Sequence, residues 1–291
     1  MKYSAFALAI LLAAVCEVRA QVTVELLPEQ DDFMPDEAIV VGVRIVNHSG
    51  QTLHLGKDAD WLTFDAESKQ GFIVSKTGDV PVVQEFDLPS SKMATKHVDL
   101  EPYFKMDKVG RYTITATVRI KDWGATITSD PKNIDVVPGV KLWEQEVGLP
   151  PASPGEHGEP EVRKYALEQT PYAQHMKLYL RLTDASESQV FKVFQLGPML
   201  SFSRPEPQLD GLNNLHLLYQ SGSHAFLYTV VNPQGTIVLR QSYDYASARP
   251  MLKEDKSGKI LVEGGVRRFA ETDIPRAEEP PPTIAPPTAG Q

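Results

Sequence analysis

The sequence predicts an all-β protein built as two successive antiparallel folds. Three observations carry this: short apolar/polar alternations recur from residue 22 to residue 137, no helical period is long enough to cover a parallel sheet, and Gly, Pro and Asn turn signals punctuate the chain. The 291 residues, 42% hydrophobic and 23% charged, suffice for about two soluble domains. A formal charge of -9 offers no basic surface, so nucleic acid and anionic lipid are not expected partners.

The first element is a leader. Lys2 gives a basic start, Ala5 to Val15 is an unbroken apolar run, and Val18-Arg19-Ala20 has the small or aliphatic residues of a cleavage site, so residues 1–20 are expected to be a removed secretory signal peptide. The run is too short for a permanent membrane anchor, and no stable insertion is expected. The only cysteine, Cys16, lies inside it, where lipidation is the alternative to removal. A cysteine-free mature chain must rely on core burial and suits an oxidising compartment, which points to the periplasm or exterior of a bacterium.

Residues 21–138 come next. Val22, Val24 and Leu26 share one strand face, as do Ile39, Val41, Val43 and Ile45, and the turn signal Asn47-His48-Ser49-Gly50 follows. Asn47-His48-Ser49 also matches a glycosylation sequon, read here as a plain turn. Further strands are expected at 52–55, 61–66, 71–75, 94–100, 111–120 and 125–137. This many short strands argue for two sheets packed face to face. Gly110, then Tyr112 opening a strand with alternating Ile114, Ala116 and Val118, resembles the tyrosine corner of immunoglobulin-like and fibronectin-like sandwiches. That resemblance implies a buried ring whose hydroxyl bonds upstream backbone. A looser likeness, carried by residues 43–50, 61–65 and 110–113, is to bacterial proteinase-inhibitor sandwiches of the BsuPI type.

Residues 139–160 read as a Pro/Gly-rich linker, 161–270 as a second folded unit and 271–291, with its proline runs, as a disordered tail. In the second unit Ser203-Arg204-Pro205 recurs as Ala248-Arg249-Pro250, and the same offset aligns Leu215 and Leu217 with Ile260 and Val262. Such a period resembles a four-stranded propeller blade, with room for about two, so an unclosed β meander with sheet edges to cover is expected.

No reaction centre emerges. There is no Gly-x-Ser-x-Gly elbow, and Ser223 and His224 are adjacent, which on a strand sends them to opposite faces. The histidines lack metal-ligand spacing, His54 and His97 being the pair only folding could unite, and the acids around Asp58/Asp60 and Asp31/Asp32/Asp36 read as solvated turns. No cofactor or metal is expected, and Arg267-Arg268 after Gly264-Gly265 reads as turn chemistry. The binding candidates are Lys121, Asp122 and Trp123, in the loop after the tyrosine-corner strand, where an indole offers contact area with few rotors to freeze. The expectation is an exported, non-enzymatic protein that binds a protein or glycan of the cell envelope through loops and sheet edges. A secreted protease inhibitor, or a hydrolase whose acids meet only in the fold, are the alternatives.

Overall fold

A computed structural model describes residues 21–82, 84–149, 161–172 and 175–274. The expected leader with Cys16, most of the expected linker and residues 275–291 lie outside the described residues. The chain forms two compact units, 1–139 and 140–291, and is all-β; among the described residues no helix is long and apolar enough to cross a membrane.

Unit 1 holds ten strands: β1 (Val22–Pro28), β2 (Asp32–Phe33), β3 (Val40–Asn47), β4 (Leu53–Leu55), β5 (Leu62–Ser68), β6 (Phe86–Leu88), β7 (Lys92–Asp99), β8 (Gly110–Ile120), β9 (Ala125–Thr128) and β10 (Lys132–Val136). One sheet runs β1-β3-β7 and the other β2-β10-β8-β5, with β9 also on β8; β4 and β6 form a separate ribbon. The β2–β10 pair is parallel, and the other pairs are antiparallel. Period-2 alternation sets the register: Val24 faces Ile45 and Leu26 faces Val43 across β1 and β3. Their side chains share one core with Phe64, Ile114, Ala116, Val118, Ile134 and Val136 of the opposite sheet, which makes the unit a sandwich.

Tyr112 is buried and its hydroxyl donates to the Lys108 carbonyl at 2.7 Å. Gly110 is required just before it: its φ is 155°, and a Cβ there would sit 2.6 Å from Gln70 Oε1, the atom that accepts the Arg111 N–H. Two strands depart from expectation. Residues 71–75 are irregular, joined to the fold by an isolated bridge at Lys76–Phe104, and the expected 125–137 strand breaks into β9 and β10 around Ser129-Asp130-Pro131. Proline has no N–H for the ladder, and Ser129 instead turns its Oγ to the Ala116 N–H.

Unit 2 begins earlier than the sequence suggests. Residues 140–149, expected in the linker, are strand β11 (Val140–Leu149), which pairs with β12 (Glu161–Tyr172). Being an edge strand with most side chains exposed, β11 carries Lys141, Glu144 and Glu146 and shows little apolar alternation. It opens a sheet β11-β12-β13-β14, with β13 (His175–Asp184) and β14 (Val190–Met199). The second sheet runs β15 (Glu206–Leu209), β16 (Leu215–Gln220), β17 (Ala225–Val231), β18 (Ile237–Asp244) and, at its end, β21 (Val266–Arg268); β19 (Met251–Glu254) and β20 (Ile260–Glu263) make a hairpin. The 45-residue offset is therefore a hairpin repeat that superposes β15–β16 on β19–β20.

The layers stack through β16 and β17. Leu215, Leu217 and Tyr219 face Tyr165, Leu167, Leu178, Leu180 and Leu182 of the first sheet, whereas Leu218, Phe226, Tyr228 and Val230 meet Leu252 and Ile260 of the hairpin. β16 reads as a nearly continuous apolar run because both its faces are covered. The outer edge of β18 is closed by β21 and by Ile274, whose N–H and C=O both bond Arg240. Residues 271–274 thus belong to the fold and not to the tail: Asp273 accepts bonds from Ala270 N–H, Ser242 Oγ and the Arg267 guanidinium.

Four hairpins of this unit share one closure. Asp184, Asp210, Asn232 and Asp255 each accept N–H bonds from residues two and four or five further on, and three positions after each stands a left-handed residue: Glu187, Asn213, Gly235 and Gly258. Hydrogen bonds from the Ser186 hydroxyl and the Gln189 N–H hold the Asp184 carboxyl down at about 2, and Ser257 and Lys259 lower that of Asp255.

Two outcomes are expected. Tyr112→Phe should cost unit 1 about 1 kcal/mol, read by urea denaturation, because the Lys108 carbonyl loses its donor. Because the folded Asp184 and Asp255 carboxyls titrate below the unfolded value of about 3.9, their stabilisation is present above that pH and is lost as pH falls through their folded values, which for Asp184 is about 2. Circular dichroism of denaturation across that window should show Asp184→Asn flattening the acid limb, with the Asn232 turn contributing nothing to it.

Candidate functional site

β8 ends in a single 3-10 turn, Lys121–Trp123, terminated by Gly124 in the left-handed conformation, whose N–H returns to the Lys121 carbonyl at 3.0 Å. The turn is fastened to the loop before β5 by two ion pairs, Lys121 with Asp58 at 3.1 Å and Arg119 with Asp60. Both are exposed, so they orient the turn more than they stabilise it. The three candidate residues separate here. Lys121 is engaged with Asp58, and Asp122 is exposed and helps raise the pKa of His54, though less than the Asp87 carboxylate hydrogen-bonded to that ring at 2.6 Å. Trp123 is half-buried against the sandwich core instead of standing free, and with Gln21, Ser49 and Gln51 it lines a recess of about 290 Å³.

The opposite wall is set by Asn47, at the end of β3. Its side chain is fully buried: Nδ2 donates to the Gln51 and Leu88 carbonyls at 2.7 and 2.8 Å, while Oδ1 accepts from the Ser49 N–H and hydroxyl at 2.9 and 2.7 Å. Four bonds on one amide fix the 47–51 loop. They also occupy the nitrogen that the sequon would offer to a glycan. Gln21 is held from the other side, its carbonyl accepting the His48 N–H at 2.6 Å just before β1 pairs Val22 with Asn47. The side-chain amides of Gln21 and Gln51 carry no hydrogen bond among the described residues. Among the described residues the recess therefore presents an indole, two primary amides and a hydroxyl, with no ionisable side chain in its lining. That lining can stack on an apolar face and exchange directional hydrogen bonds.

Two other recesses are lined largely by groups that the fold itself uses. In unit 2, about 410 Å³ is bordered by Asp210, His216, Glu254 and the 257–260 turn. Buried His216 there contacts Tyr228 OH through Nδ1 at 2.6 Å and Asp210 Oδ2 through Nε2 at 3.1 Å, and Asp210 also closes the β15–β16 hairpin. In unit 1, Asp36, Glu37, Glu101 and Asp107 line about 240 Å³. Burial, then the neighbouring Asp99 and Asp36, raise the Glu101 pKa. Glu37, however, takes the Met34 N–H and the Gln30 amide, and Asp99 takes the Ile39 and Glu101 N–H groups, so these acids are committed to backbone.

Remaining candidates are dispersed. His54 lies on β4 and His97 on β7, His224 stacks on Tyr245, and Arg267 bonds Asp273 and the Ser242 carbonyl. Among the described residues no three His, Cys, Asp or Glu side chains converge as metal ligands. Sequence reading missed Gln21, Ser49 and Gln51 because nothing in a single polar residue announces that the start of β1 and the β3–β4 turn meet beside residue 123.

No family model and no curated protein matches the chain. Among solved structures, the sporulation control protein Spo0M of Bacillus subtilis is similar at 9% identity over 58% of this chain and 82% of that one, with a TM-score of 0.31. A likeness this loose bears on neither fold family nor function.

Asn47→Ala would strand two carbonyls and two donors around the recess, and a loss of about 2–4 kcal/mol in unit 1 is expected by equilibrium denaturation.

Proposed function

We propose that this chain is an exported, non-enzymatic binding protein of a bacterial envelope, and that it holds an uncharged glycan at the end of an immunoglobulin-like sandwich. The single supporting observation is the chemistry of the Trp123 recess. An aromatic face beside free amides is what the alternating apolar and hydroxyl-bearing faces of a sugar ring require, and a lining that among the described residues carries no ionisable side chain matches a neutral ligand. The parallel β2–β10 pair and the Tyr112 corner support the immunoglobulin-like reading. The leader-like residues 1–20 and the absence of any later cysteine support export.

Titration with uncharged cell-wall and capsular oligosaccharides, followed by calorimetry, tests the reading. Trp123→Ala is expected to weaken binding at least tenfold while also lowering the denaturation midpoint, because the ring packs on the core, and Gln51→Ala is expected to weaken it severalfold with an unchanged midpoint. Absence of binding across the panel, or equal affinity for parent and Trp123→Ala, would refute it.

A second reading, the protease inhibitor, is favoured by residues 71–75. This irregular segment leaves Ile73 91% exposed beside Phe72, while the Ser75 carbonyl is anchored by the Lys105 N–H at 2.9 Å. An exposed apolar residue on a loop anchored beside it is what a serine protease with an apolar pocket would engage. Inhibition of such a protease, abolished by Phe72→Gly with Ile73→Gly, would establish this reading in place of the first.

A further inference from the structure

We infer that Gln21 is a modification site: as the first residue of the mature chain it cyclises to pyroglutamate, and the recess then receives an uncharged lactam in place of an ammonium. This rests on the export reading, because only cleavage between Ala20 and Gln21 frees the α-amine. The step balances without any co-reactant. The α-nitrogen attacks the Cδ of its own side chain, the new N–Cδ bond closes a five-membered ring, and the Cδ–Nε2 bond breaks as ammonia departs with the proton taken from the amine.

The fold neither opposes this reaction nor is indifferent to its product. Everything that holds residue 21 lies downstream of its Cα: the carbonyl bonded to the His48 N–H at 2.6 Å, and β1 beginning at Val22. The side-chain amide has no hydrogen-bond partner among the described residues to restrain it, so ring closure breaks no contact of the sandwich. Without closure, an α-amine with a pKa of about 7.7–8.0 would place a mostly protonated ammonium beside Trp123, Ser49 and Gln51. The lactam removes that charge and leaves an N–H, a C=O and two methylenes, which are the same kinds of group the rest of the lining offers a neutral ligand.

The test uses the complete chain, leader included, expressed in a bacterium and recovered from the envelope fraction. The expected N-terminal tryptic peptide runs from residue 21 to Arg44. It should be lighter than its sequence by one ammonia and resist aminopeptidase until pyroglutamyl aminopeptidase removes the ring. The whole protein should also focus at a more acidic position than the Gln21→Ala variant. A chain that starts at residue 21 and keeps a free amine after prolonged incubation at neutral pH overturns the modification while export stands. A chain that starts elsewhere overturns the modification while export stands, and one that retains the whole leader overturns both.

Discussion

Side-chain closure of backbone at the strand ends is the constraint on which both units depend. With no cysteine after residue 20, the described chain has no disulfide with which to staple its loops, and a hairpin slipped by one residue would turn every apolar side chain outward. Short Asx side chains prevent the slip. Asn47, Asp99, Asp184, Asp210, Asn232 and Asp255 each accept backbone N–H bonds, so the turn begins at that residue and nowhere else. The main effect of these bonds is on register.

In unit 2 this closure permits the layering. β16 can be apolar on both faces only because the hairpins on either side of it are placed without error, one covering Leu215 and Leu217 and the other Leu218. The edges are then handled by two different means: charge along β11, and a returning chain, β21 with Ile274, along β18. Sheet-edge pairing with a partner thus has less backbone available at β18 than an unclosed meander would suggest.

Legibility followed the amount of burial. β1, β3 and β8 were readable because each alternates against a covered face, and Tyr112 was readable because a buried ring needs a partner for its hydroxyl. β11 was lost among its charges, since an edge strand with little buried has no reason to alternate. The short β2 and β21 were missed because two or three residues carry no period. A readable signal did go unused: Asp or Asn followed three positions later by Gly, Asn or Glu occurs at four of the hairpins of unit 2, and the pair Asp210 and Asp255 repeats at the same offset as the Arg-Pro motif. The recess was legible only at Trp123, because its other three residues come from two segments that the sequence does not join.

The two units differ in what their polar groups are left to do. In unit 2, Asp210, His216 and Tyr228 bond one another, Asp273 gathers three donors, and the Tyr165 and Tyr219 hydroxyls reach the Asn213 and Leu196 carbonyls. A ligand arriving there would have to displace bonds that hold the layers together, and an unsatisfied buried group costs more than a new contact returns. At the sandwich end the cost is lower. Asn47 carries the structural bonds for its whole loop, so Gln21 and Gln51 beside it hold position through their backbones while the Gln51 amide, and that of Gln21 until it closes to a lactam, stay available. A rigid frame with unengaged donors and acceptors is pre-organised for a ligand, and it loses little side-chain freedom on binding because only two amides remain to be ordered.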